Sequence, residues 1–293
     1  MGKDYFASSP VAREVFERAD GLLGFELSKI CFEGPEERLT QTDVSQPAIY
    51  VTSVACFTAA EAAGVINAEE VTAYAGLSLG EYTALHLGGA FSFDDGLKLV
   101  AARGKHMQEA ALATPSGMVS IMGADESAVH QLCEQSAHGE LLVPANFNAP
   151  GQIVVSGATA ACERVAKNAE AAGFKAIPLK VAGAFHSPLM RRGADRMGAE
   201  LERVLIRAPR KIVYANVTAQ PHGDAASIKR LLVDQIVKPV RWEQTMQQLA
   251  PQPDARFVEL APGRVLTGLL KKINRRLPVE SLASVDALKG TQS

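Results

Sequence analysis

Along the first seventy residues the apolar positions recur at helical spacing. Ser8-Ser9-Pro10 supplies an N-cap followed by proline at the first helical position, and Val11, Val15, Phe16 and Ala19 continue one face. A longer helical stretch runs from about 46 through 63 and stops at Gly64, a C-terminal signal. A strand-like run appears only at 71–75. It leads directly into Gly76-Leu77-Ser78-Leu79-Gly80 and then into a helical run from Glu81. A further helix covers about 93–111.

From Gly117 the period changes. The pattern predicts a strand over 117–123, a helix over 125–137 and two strands, 142–147 and 153–156, joined across the turn sequence Asn148-Ala149-Pro150-Gly151. A helix over 159–172, closed by Gly173, precedes a strand over 174–181. The order β-α-β-β-α-β is that of a ferredoxin-like unit. It predicts a small subdomain over 114–183 set into a larger α/β unit made of 1–113 and 184–293. A helix over 189–204, a strand over 212–215, a helix over 226–237 and a strand over 257–260 complete the pattern. No internal repeat or low-complexity linker interrupts it.

Composition narrows the class. The 293 residues suggest about two units at roughly 150 residues each. Hydrophobic residues make up 47% of the chain, enough to bury a core. With 30 Lys+Arg against 32 Asp+Glu and no block of like charge, a nucleic-acid or membrane-surface protein is disfavoured. No apolar leader follows Met1, and the longest uncharged stretch, 141–162, carries prolines and asparagines that a lipid-spanning helix would not. Cys31, Cys56, Cys133 and Cys162 form no CxxC pair and no zinc spacing. The expectation is a cytoplasmic protein without a metal centre.

Candidate chemistry enters at Gly76-x-Ser78-x-Gly80. This nucleophile-elbow pattern arises by chance about 0.1 times in such a chain, but here it sits between a strand and a helix, the context that gives it meaning. The alternative is a plain Gly-Ser turn. A serine nucleophile needs a base, and six histidines are available. His130, His138 and His222 read as solvent-exposed, His86 as a packing or surface residue, and His106 lies in a charged helical run. His186 stands in Val181-Ala182-Gly183-Ala184-Phe185-His186-Ser187-Pro188, a non-periodic loop of the kind that carries catalytic groups. Arg103 flanks the apolar helical stripe Val100, Gly104, Met107 and Ala111. It is either a snorkelling side chain or a fork for a substrate carboxylate.

Together these segments resemble the malonyl-CoA:acyl carrier protein transacylase family. The resemblance rests on Gly76-Leu77-Ser78-Leu79-Gly80-Glu81-Tyr82, Arg103-Gly104 with Met107-Gln108, and Asn146-Phe147-Asn148-Ala149-Pro150-Gly151-Gln152. It continues through Gly183-Ala184-Phe185-His186-Ser187, Gln235 with Pro239-Val240-Arg241-Trp242, and Pro262-Gly263-Arg264-Val265-Leu266-Thr267-Gly268. The motifs cover nearly the whole chain in the family's order. The resemblance implies an α/β-hydrolase-like core with the ferredoxin-like insert. It also implies ping-pong transfer of malonyl from malonyl-CoA, through a Ser78 ester, to the pantetheine thiol of holo-acyl carrier protein, in fatty-acid synthesis. His186 would be the base, oriented by the backbone carbonyl of Gln235; Leu79 would offer an oxyanion amide, and Arg103 would hold the malonyl carboxylate. No cofactor is implied, and a monomer is expected. The docking surface for the carrier is open, with Lys180, Arg191 and Arg192 near the histidine loop as candidates.

Two departures from the family pattern stand out. Leu77 occupies a position that is usually histidine. The family's first strand and its Gly-Gln-Gly-x-Gln loop, source of a second oxyanion amide, have no counterpart, as expected of a start site assigned too far downstream or of a shortened variant. Two rival readings therefore stand beside transfer: a serine hydrolase in which water deacylates Ser78, and an inactive carrier-binding protein.

Overall fold

The computed structural model describes residues 1–251 and 255–289. The first third is helical: α1 (Lys3–Ser8), α2 (Pro10–Leu23), α3 (Leu27–Glu33), α4 (Glu36–Leu39) and α5 (Thr42–Ala62). In α2 the Ser9 hydroxyl accepts from the Ala12 amide, Pro10 opens the helix, and Gly24 ends it in the left-handed region. Ala12, Phe16 and Ala19 form its buried face, whereas Val11 is exposed, one position off the stripe expected from the sequence. The long helix starts at Thr42, a turn earlier than the sequence pattern suggests, and Pro47 lies inside it. Helix α5 is apolar on nearly every side and is the central helix of the large core, so little polarity marks where its first turn begins.

β1 (Ala73–Tyr74) follows, then α6 (Gly80–Leu87) and α7 (Phe93–Ala113). The next elements are β2 (Ser116–Met122), α8 (Glu126–Ala137), β3 (Leu142–Ala149), β4 (Gln152–Ala158), α9 (Thr159–Ala171) and β5 (Lys175–Pro178). The four strands make one antiparallel sheet in the order β3-β4-β2-β5. Alternate residues Val119, Ile121, Ile153 and Val155 pack with Val129, Leu132 and Val165 of α8 and α9 in a core of their own.

α10 (Arg191–Glu202), β6 (Ile212–Val213), α11 (Ala225–Val237), α12 (Trp242–Leu249), β7 (Phe257–Leu260), α13 (Val265–Ile273) and β8 (Val279–Leu282) complete the chain. β1 pairs in parallel with β6, and β7 in parallel with β8. β1, β5 and β6 are shorter than the apolar runs that predict them, because hydrogen-bonded register extends over only part of each run. The four-stranded sheet is tied to the rest through β3. There the Phe147 amide donates to the Val240 carbonyl and the Val240 amide to the Ala145 carbonyl, both at 2.9 Å. Among the described residues no helix is long and apolar enough to cross a membrane.

The contact between α5 and α7 sets the geometry that follows. At Gly104 a Cβ would lie 2.6 Å from the Thr42 carbonyl oxygen and 3.0 Å from Asp43 Cα, so the two helices touch backbone to backbone. This approach brings Gln46 of α5 alongside Arg103 of α7. Gly104→Ala must push them apart, and overpacking of this kind costs about 1–3 kcal/mol. Urea unfolding is expected to show a lower midpoint at unchanged slope; an unchanged midpoint would mean that the helices have room.

Candidate active site

Between β1 and α6 the chain turns sharply at Ser78, whose φ of 52° lies in the left-handed region. For a residue with a Cβ that conformation costs about 1–3 kcal/mol and persists only where neighbours enforce it. Here one side chain does so: the Asn216 carboxamide oxygen accepts from the Ser78 amide at 2.6 Å, and its nitrogen donates to the Gly76 carbonyl at 2.8 Å. Gly76 is required because a methyl there would fall on the backbone of Gly80. The Ser78 hydroxyl is thereby presented at the N-terminal end of α6.

His186 also has positive φ, 57°, and is buried. Its loop is rigidly fastened, with Ser156 Oγ donating to the Phe185 carbonyl at 2.7 Å and Ser187 Oγ to the Ala184 carbonyl at 2.6 Å. Nδ1 lies 2.6 Å from the Gln235 backbone carbonyl, and Nε2 lies 2.9 Å from Ser78 Oγ. A carbonyl can only accept, so Nδ1 carries the proton and Nε2 presents its lone pair to the serine hydroxyl. Burial, assisted by the nearby Arg103 cation and opposed by the Gln235 carbonyl, pushes the imidazole down to about 4.

Arg103 is 1% exposed, which excludes the snorkelling alternative. Its guanidinium donates to Gln46 Oε1 at 2.6 Å, to Gln235 Oε1 at 2.8 Å and to Ser78 Oγ at 3.0 Å, and lies 5.5 Å from the centre of the Tyr82 ring. All these partners are uncharged. Burial lowers its pKa, while Tyr82 and Glu81 raise it. Ser78, His186 and Arg103 line one cleft of ≈ 590 Å³, with Leu77, Leu79 and Met107 on its walls. Leu79 directly follows the nucleophile candidate at the start of α6, and Gln235, on α11, is fully buried.

Polar residues missed in the sequence complete the network. Glu81 is buried beneath the elbow. It accepts from Gln235 Nε2 at 2.6 Å, from the Asn216 amide at 3.2 Å and from His222 Nε2 at 2.7 Å. His222 is therefore buried, not solvent-exposed as its Pro-His-Gly turn suggests, because Glu81 supplies it with a partner in the interior. His86 packs between Tyr50 and Phe93. Among the described residues, no group of three or more His, Cys, Asp or Glu is placed to hold a metal ion.

The acyl transferase domain family matches residues 1–292. The malonyl CoA-acyl carrier protein transacylase of Salmonella typhimurium is 38% identical over 96% of this chain and 91% of its own. The structure of the transacylase of that name from Coxiella burnetii superimposes with a TM-score of 0.95 at 35% identity, covering 99% of this chain and 91% of that one. A malonyl-transacylase solved in complex with a type II polyketide acyl-carrier protein gives a TM-score of 0.94 at 36% identity, covering 99% of this chain and 93% of that one.

The burial of His186 has a measurable sign. Its folded pKa lies below the unfolded value of about 6.5. The stability it contributes is therefore complete above pH 6.5 and is lost as pH falls towards 4, the range in which only the unfolded chain takes up the proton. An NMR titration of the His186 ring is expected to give a midpoint near 4; a midpoint near 6.5 would mean a hydrated imidazole.

Proposed function

The chain belongs to the acyl transferase domain family, and we propose that within it the protein transfers malonyl from malonyl-CoA to the pantetheine thiol of holo-acyl carrier protein, supplying fatty-acid synthesis. The observation that carries this reading is the Arg103 guanidinium, buried, hydrogen-bonded only to neutral groups and 3.0 Å from Ser78 Oγ. A cation taken out of water without an anion has a strong electrostatic demand for one. A malonyl carboxylate, two bonds from the reacting carbonyl, would meet that demand in a bidentate pair while placing the thioester at Ser78. An acetyl group brings no anion.

Ser78 Oγ attacks the thioester carbonyl while His186 Nε2 takes the hydroxyl proton. The Leu79 amide, at the start of α6, stabilises the oxyanion. Collapse breaks the carbon–sulfur bond, and His186 returns its proton to the departing sulfur of coenzyme A. The malonyl-Ser78 ester then meets the carrier thiol. His186 takes the thiol proton, sulfur attacks the ester carbonyl, and the proton passes back to Ser78 as the oxygen leaves. Through its carbonyl Gln235 keeps Nδ1 protonated across both halves. These steps call on no metal or organic cofactor. Four free, buried thiols suit a cytoplasmic setting.

Arg103→Ala tests the reading. Loss of a bidentate charged pair is expected to lower kcat/KM for malonyl-CoA by about 10²–10³, while acetyl transfer is retained or rises. A variant that keeps the malonyl preference would remove the carboxylate role of Arg103.

A further inference from the structure

Gln235 lies between two opposite charges, and its neighbours determine which way its amide points. Nε2 faces the Glu81 carboxylate at 2.6 Å and the Ser78 carbonyl at 2.9 Å, both of which only accept. Oε1 faces Arg103 at 2.8 Å, which only donates. A flipped amide would set oxygen against two oxygens and NH₂ against a guanidinium. Glu81 thus stands one carboxamide away from Arg103, close enough to balance its charge in a dry interior but out of direct contact with it. Its other oxygen is held by His222 Nε2 at 2.7 Å.

We infer that Glu81 is a positioning residue for acyl selection: as the distant half of an ion pair spaced by Gln235, it supports the buried guanidinium without occupying the face that receives the substrate carboxylate. The inference rests on the malonyl reading of Arg103. A carboxylate in direct contact with Arg103 would compete with substrate. Without a carboxylate at position 81, the Gln235 amide would be held only by the Ser78 carbonyl and by Arg103 itself, and the buried guanidinium would lose the charge that balances it.

Two variants test this through the ratio of kcat/KM for malonyl-CoA to that for acetyl-CoA. Glu81→Gln leaves one acceptor oxygen for three donors. The double variant Glu81→Gln with Gln235→Glu keeps the net charge but moves the carboxylate into contact with Arg103, and serves if the single variant does not fold. In each the malonyl-to-acetyl ratio is expected to fall by about tenfold or more, mainly through a raised KM for malonyl-CoA, in protein whose circular dichroism is unchanged. An unchanged ratio, or equal loss with both substrates, would overturn the inference, since a purely structural role scales both alike. Arg103→Ala serves as the reference. If it loses the malonyl preference while the Glu81 variants keep theirs, only the inference fails; if it too keeps the preference, the carboxylate reading fails and the inference falls with it.

Discussion

A guanidinium removed from water organises this molecule. Arg103 is buried in the wall of a cleft, and a charge in that position must be met by hydrogen bonds or by an opposite charge. The protein supplies the hydrogen bonds from two glutamine oxygens and a serine hydroxyl, and keeps the Glu81 carboxylate at the far side of Gln235. The close crossing of α5 over α7 at Gly104 delivers one glutamine, and α11 delivers the other. The same cation lies near His186 and disfavours a proton there. On the proposed reading, specificity and base strength are coupled: an anion that pairs with Arg103 also lifts one of the influences that depress the imidazole pKa.

The second constraint is backbone strain. Ser78 and His186 both stand in left-handed conformations and face each other across 2.9 Å. Neither arrangement would persist in an isolated peptide. Asn216, 138 residues away in sequence, closes the elbow from below, and the histidine loop is held by serine hydroxyls at both flanks. Both side chains are thus fixed by long-range contacts, which in the proposed reaction limits the motion left to be frozen on binding.

Much of this was legible in the sequence for identifiable reasons. Caps and glycines announced α2 and α9, and the change of pattern after Gly117 with the turn sequence at 148–151 announced β2 to β4. The elbow could be read because it compresses two glycines and a serine into five residues. Glu81, Asn216, His222 and Gln46 were not singled out, because a buried polar residue is recognised by its partner, and these partners lie 57 to 154 residues away. Glu81 carried one signal, a charged residue in the first turn of a helix whose next four residues are apolar or small. His222 gave the opposite signal, since a histidine between proline and glycine reads as surface. The ends of α5 and of the short parallel strands were misjudged because tertiary register, which no local pattern contains, sets them.

The most direct measurement is competitive labelling of Ser78. The protein is mixed with equal concentrations of malonyl-CoA and acetyl-CoA, without carrier protein, and the acyl group retained is identified by intact mass and by sequencing of the labelled peptide. The account predicts a malonyl ester on Ser78 in clear excess over acetyl. Labelling of folded protein that is mainly acetyl, or that maps to another residue, would contradict it.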